Sequence, residues 1–83
     1  MKILYFAWLR QRIGTGEETV DLPDGVVTAE GLVDWLRGRG PGYEEAFRDT
    51  SAIKLAINQE FADLTAAVAE NDEVAFFPPV TGG

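Results

Sequence analysis

The chain has 83 residues, with 14 acidic and 7 basic side chains and a formal net charge of −7. A chain of this length forms one small domain, which buries about 60 to 65 % of the surface that its unfolded form exposes. The acidic charge repels phosphate backbones, which disfavours nucleic acid as a partner. It favours a protein partner with a basic docking surface.

The sequence contains neither Cys nor His. Thiolate nucleophiles, Ser-His pairs and imidazole ligands are therefore excluded, and with them most hydrolase and zinc chemistry. No segment has the layout of a secretory signal, and no apolar run approaches the roughly 20 residues that span a bilayer. We therefore expect a cytoplasmic protein with no membrane contact and no bound metal.

The first third of the chain predicts a β-hairpin. Residues 2–8 are apolar at odd and even positions, which is typical of a strand covered on both faces. Residues 10–17 contain two glycines and are predicted to form a turn. Residues 18–22 alternate polar and apolar side chains, as an edge strand does, and residues 23–25 have the composition of a turn.

One main helix is predicted in the middle of the chain, beginning after Thr28 as N-cap and ending near Gly38. Its apolar side chains recur at helical spacing and are expected to face the core: Ala29, Leu32, Val33 and Leu36. Residues 42–51 are predicted to be a loop, with about one helical turn at residues 43–48.

The last third predicts strands at residues 51–58 and 73–77, with a turn at residues 58–60 and a short strand at Phe61. Residues 63–71 are predicted to be an alanine-rich connection with a brief helical turn. The order of elements indicates an α+β fold of the β-grasp, ubiquitin-like type, in which a mixed sheet packs on one main helix. We expect the first and last strands to lie side by side at its centre.

This prediction divides the chain into a β-grasp domain, residues 1–77, and a flexible C-terminal tail, residues 78–83. If alternate residues of the two central strands face the helix, their neighbours face the opposite side of the sheet. Those neighbours are apolar, and Phe61 adds to them: Leu4, Phe6, Ala75 and Phe77. Such an apolar face is typical of an interaction surface.

The tail runs Pro78-Pro79-Val80-Thr81-Gly82-Gly83. The prolines disfavour a helix, so we expect an extended segment that reaches roughly 20 Å. The terminal glycines have no Cβ to obstruct a narrow channel. The reactive group that this arrangement presents is the α-carboxylate of Gly83.

The ending from Asp72 to Gly83 resembles that of MoaD, the small sulfur-carrying subunit of molybdopterin synthase. The opening Ile3-Leu4-Tyr5-Phe6-Ala7 and the run Ala56-Ile57-Asn58-Gln59 are similar to that family in type and order. The resemblance implies that a MoeB-like enzyme uses Mg-ATP to adenylate Gly83, and that a sulfur donor protein then converts it to a thiocarboxylate.

The resemblance also implies a MoaE-like large subunit, two copies of each subunit, and transfer of the sulfur to cyclic pyranopterin monophosphate. The small subunit is then a sulfur donor with no catalytic groups and no cofactor of its own. By matching position, the implied docking residues are Phe6, Phe61, Phe77, Pro78 and Pro79, and the inserted tail is Val80, Thr81, Gly82 and Gly83.

Three alternatives stay open at this point. One is a ThiS-like sulfur carrier that serves thiamin synthesis or tRNA thiolation. Another is a protein modifier that forms isopeptide bonds, for which Lys2 and Lys54 are the only lysines available for self-linked chains. The third is a β-grasp interaction module whose tail is never activated.

Overall fold

A computed structural model describes residues 1–79 of the chain. In chain order the elements are β1 Lys2–Tyr5, α1 Trp8–Ile13, β2 Glu17–Thr19, α2 Ala29–Arg37, α3 Pro41–Ala46, a 3-10 turn Thr50–Ala52, β3 Lys54–Ile57, β4 Glu60–Ala62 and β5 Glu73–Phe77. Within these residues, every helix is too short or too polar to cross a membrane. Four residues of the predicted tail, Val80 to Gly83, lie outside the described residues.

The five strands form one mixed sheet in the order β2-β1-β5-β3-β4. β1 and β5 pair in parallel at its centre, with Ile3 opposite Val74 and Tyr5 opposite Phe76. All other neighbours pair antiparallel. The predicted β-grasp architecture, with the first and last strands adjacent, is confirmed.

The core lies between one face of this sheet, here called the inner face, and the helices. The two central strands present Ile3, Tyr5, Val74 and Phe76 to it, each at most 1 % exposed. From α2 come the four predicted side chains, and all four are buried. The predicted alternation of the central strands is therefore correct, and so is the predicted helix stripe.

The start of α2 follows from its first residues. The Thr28 hydroxyl accepts a hydrogen bond from the backbone N–H of Gly31 at 3.2 Å, which satisfies one of the free donors of the first helical turn. The preceding chain turns at Gly25, where φ is +88° and glycine is favoured. The predicted N-cap and the turn at residues 23–25 are both confirmed.

Three segments near the N-terminus differ from prediction. The predicted strand at residues 2–8 ends at Tyr5, the first half of the predicted turn at residues 10–17 belongs to α1, and the edge strand predicted at residues 18–22 is the shorter β2. The chain reverses at Ala7, where φ is +54°, and this lets Leu9 enter the core with no exposed surface. An alanine gives no turn signal in sequence, so the reversal was not predictable from local composition.

The two connections after α2 also differ from prediction. Pro41 occupies the first turn of α3, and the residue after this helix, Phe47, is fully buried. The connection at residues 63–71 has no helix; it runs along the start of α2, where the N–H of Ala29 donates to Ala66 at 2.9 Å. Burial of Phe47 and pairing with α2 are tertiary contacts that local propensity does not contain.

A polar cluster around Glu18 ties β2 to the helical side of the molecule. Its carboxylate accepts hydrogen bonds from Tyr5 Oη at 2.8 Å, Tyr43 Oη at 2.7 Å and Arg39 Nη1 at 2.7 Å. The Arg39 guanidinium also lies 5.0 Å from the ring centroids of Trp35 and Tyr43. Burial alone would raise the pKa of Glu18, but the three hydrogen bonds together hold that pKa below its usual value.

The first prediction concerns acid stability. The pKa of Glu18 is lower in the folded chain than in the unfolded chain, so its ionised carboxylate stabilises the fold at any pH above the unfolded pKa of about 4.3. This stabilisation is lost as the pH falls through the pKa of the folded chain. Between about pH 6 and about pH 3 we expect the wild type to lose about 1 to 2 kcal/mol more unfolding free energy than Glu18→Gln. Urea denaturation at both pH values measures this, and equal losses would contradict it.

The second prediction concerns the core. Leu36 is fully buried on α2, so Leu36→Ala leaves a cavity and is expected to lower the free energy of unfolding by about 2 to 5 kcal/mol. Val27 is 64 % exposed, and Val27→Ala serves as control with a change within about 0.5 kcal/mol. Urea denaturation of both variants at neutral pH tests the packing; similar values for the two would show that it is wrong.

Candidate functional site

The face of the sheet opposite the helices, here called the outer face, carries a row of apolar side chains across four strands. Backbone pairing aligns them from β1 to β4: Leu4, Ala75, Ala56 and Phe61. The three from β1, β5 and β3 are partly buried, whereas Phe61 is 87 % exposed. A face that met only water would be polar at these positions.

A second row on the outer face contains two more aromatic side chains. The N–H of Phe6 donates to the carbonyl of Phe76 at 3.1 Å, which continues the parallel pairing one residue past β1 and places Phe6 beside Phe77. Phe77 in turn pairs with Lys54 of β3. The rings of Phe61 and Phe77 contact each other, with centroids 5.9 Å apart.

The exposure of these rings is unusual for their type. Phe6 is 48 % exposed, and among residues 1–79 the large apolar side chains that are largely open to solvent are three: Phe6, Val27 and Phe61. Two of the three lie on the outer face. Contiguous apolar surface of this kind marks an interaction site in a protein whose core is otherwise well closed.

The backbone at Ala7 helps to place Phe6 on this face. Ala7 has φ +54° and ψ −131°, a region that costs a residue with a Cβ about 1 to 3 kcal/mol. The turn stops β1 and redirects the chain into α1 immediately after Phe6. Phe6 therefore stays at the end of the central strand with its ring outside the core.

The predicted docking residues are thus brought together, and the tail begins beside them. Pro78 is partly buried and Pro79 is exposed, and both follow directly after the central strand β5. The predicted inserted residues Val80, Thr81, Gly82 and Gly83 lie outside the described residues. The tail therefore begins at the end of β5 that carries Phe77, next to the aromatic side chains of the outer face.

The outer face and the titratable group with the strongest pKa shift lie on opposite sides of the sheet. No group of three or more acidic side chains within residues 1–79 is arranged to hold a metal ion. The strongest pKa shift belongs to Tyr5, whose pKa is raised by burial and by its hydrogen bond to Glu18, on the inner face. The described part of the outer face is suited to binding.

Sequence reasoning missed two contributors to the outer face. Both lie in the strand predicted at residues 51–58, but that prediction does not connect Ala56 with the aromatic patch and treats Lys54 only as a lysine for self-linked chains. The pairing of β3 with both β5 and β4 places them there. The apolar alternation of β3 was visible, but its position between β5 and β4 was not.

Comparison with known proteins agrees with this geometry. The family model described as ThiS family matches residues 3–83. The chain is 39 % identical over 83 residues to the molybdopterin synthase sulfur carrier subunit of Haemophilus influenzae, covering 100 % of this chain and 99 % of that protein.

Solved structures show the same fold. The small archaeal modifier protein 1 of Haloferax volcanii superposes with a TM-score of 0.77 at 36 % identity, covering 96 % of this chain and 97 % of that one. In the complex of subunits 1 and 2 of the molybdopterin-converting factor from Helicobacter pylori, one chain superposes with a TM-score of 0.65 at 18 % identity, covering 99 % and 96 %, a likeness of fold alone. The chain therefore belongs to the ThiS family, and the MoaD resemblance seen in its sequence is confirmed.

Proposed function

We propose that this protein is the sulfur carrier subunit of a molybdopterin synthase. The observation that carries the proposal is the position of the aromatic outer face beside the start of a tail that ends in Gly82-Gly83. The family membership and the name of the Haemophilus influenzae relative support the same function.

The chemistry proposed for the tail begins at the α-carboxylate of Gly83. A carboxylate is a poor electrophile because oxide is a poor leaving group. A MoeB-like enzyme would join one carboxylate oxygen to the α-phosphorus of Mg-ATP, with loss of pyrophosphate. Hydrosulfide supplied by a donor protein would then attack the acyl carbon, AMP would leave, and a thiocarboxylate would remain.

The sulfur acceptor proposed from the resemblance is cyclic pyranopterin monophosphate, bound by a MoaE-like large subunit. Val80 to Gly83 would enter that subunit's active site, where the two glycines present no side chain to a narrow channel. Two transfers would supply the two sulfurs of the molybdopterin dithiolene. This chain has no Cys or His, so the partners would provide the catalytic groups.

The outer face is proposed as the surface on which those partners dock. Phe6, Phe61 and Phe77 supply exposed or half-buried aromatic surface, of the kind that dominates binding energy at protein interfaces. Pro78 and Pro79 stiffen the exit from β5, which lowers the entropy lost when the tail is ordered. The Helicobacter pylori relative was solved as a complex of subunits 1 and 2.

A second candidate is a protein modifier, because the relative from Haloferax volcanii is named a small archaeal modifier protein. The activation of Gly83 would be the same, but the nucleophile would be a lysine amine, and an isopeptide bond would form. The two functions separate at the product: a thiocarboxylate can be isolated on the free chain, whereas a conjugate adds the mass of a target.

The third prediction tests activation directly. After incubation with a MoeB-like enzyme, Mg-ATP and a sulfur source, we expect the intact mass to rise by about 16 Da, because sulfur replaces one oxygen at Gly83. Fragmentation should place the gain on the last residue. A chain with one residue added after Gly83 is the matched control and should keep its mass. An unchanged wild-type mass, with an activating enzyme shown to be competent, would contradict the proposal.

The fourth prediction tests docking. Phe61 is 87 % exposed, so Phe61→Asp should leave the fold intact but lower the affinity for the large subunit at least about tenfold, because a charge is desolvated in an apolar interface. Titration calorimetry with the large subunit measures the effect. Val27→Asp, at an exposed apolar position just before α2, should bind within about twofold of the wild type. Unchanged binding by Phe61→Asp would show that the outer face around Phe61 is not part of the interface.

A further inference from the structure

Lys54 lies next to the aromatic side chains of the outer face. It is the residue paired with Phe77 across β3 and β5, so the row that crosses the sheet here reads Phe6, Phe77, Lys54. Its neighbour Leu55 is buried on the inner face, and alternation therefore directs the Lys54 side chain outward. Lys54 itself is exposed.

A shallow cavity of about 370 Å³ adjoins this amine. It is lined by Lys54, Leu55, Phe61, Ala62 and Phe77. Apart from the lysine, every lining residue is apolar. The site therefore combines space for an apolar side chain with one cation at its border.

The two lysines of the chain differ in their pairing, although both lie on outer-face positions. Lys2 Nζ is 3.4 Å from the carboxylate of Glu17 on the neighbouring strand. Within residues 1–79, no carboxylate lies within 4.0 Å of Lys54 Nζ. The charge of Lys2 is thus neutralised by Glu17, whereas the charge of Lys54 is available to a partner.

We propose that Lys54 is a specificity-determining residue of the docking surface, which pairs with an Asp or Glu of the partner protein next to an apolar side chain seated in the cavity. The inference rests on the proposed function, because it concerns how the large subunit docks. The carboxylate is inferred from charge complementarity and from continuity of the cavity with the Phe61 and Phe77 rings.

The overall charge gives this single cation its importance. The chain carries −7, so its long-range field attracts basic surfaces in many orientations. An opposite local charge at Lys54 favours the one orientation that brings a carboxylate against it, and it penalises a partner that presents a basic residue there. In that orientation the start of the tail, which follows Phe77, meets the same partner surface.

The test measures binding of the full chain to the large subunit of molybdopterin synthase from the same organism, by calorimetry at low salt. Lys54→Met keeps an apolar stem and should weaken binding by about five- to tenfold, and Lys54→Glu by about a further tenfold. The difference between the wild type and Lys54→Met should shrink at about 0.5 M salt, where charges are screened. Lys2→Met is the matched control and should stay within about twofold, because Lys2 pairs with Glu17 and lies at the opposite end of the central strands from Phe6 and Phe77.

A second readout locates the partner carboxylate. Carbodiimide treatment of the complex joins a lysine amine to a carboxylate with loss of water, and we expect an amide between Lys54 and an Asp or Glu of the large subunit. Wild-type-like binding by Lys54→Met at low salt, or an equal loss in Lys2→Met, would overturn this inference alone. Failure of the wild type to bind would overturn the proposed function together with it.

Discussion

The parallel pairing of β1 with β5 is the constraint on which the rest of this structure depends. It joins the first and last strands at the centre of the sheet, so that side chains far apart in sequence become neighbours. On the inner face it brings together Tyr5 and Phe76, whose ring centroids are 6.3 Å apart. On the outer face it sets Phe6 beside Phe77. The start of the tail therefore lies next to an aromatic surface, and a partner that covered this surface would also meet the start of the tail.

The two faces of the sheet differ in how completely their apolar side chains are buried. Inward residues of the central strands pack against α2 and Phe47 and leave almost no exposed surface. Four outward residues of the same strands are also apolar but remain partly or largely exposed: Leu4, Phe6, Ala75 and Phe77. The polar cluster at Glu18 holds the edge strand β2 to Tyr43 and Arg39 on the helical side. None of its members lies on the outer face, so the proposed docking surface is separate from this stabilising network.

Much of the fold could be predicted because several segments carry their own signals. The alternation in β5, the stripe of α2 and the Thr28 cap are local patterns that the structure keeps. The hairpin of β3 and β4 was placed correctly, although its turn uses positive φ at Asn58 and Gln59, and only the first of these is a common turn residue. By contrast, the sequence does not predict α1, because this helix depends on the chain reversal at Ala7 and on burial of Leu9 in the core.

The sequence by itself determined the approximate positions of the strands, the main helix and the apolar alternation of the central strands, because periodicity and residue type are local properties. Only the tertiary structure decided which of those residues are neighbours. The position of β3 between β5 and β4 places Lys54 beside Phe77 and joins Ala56 to the patch. The packing of the segment after α3 buries Phe47. Such contacts depend on pairings between distant segments, and their energy appears only when the sheet is assembled.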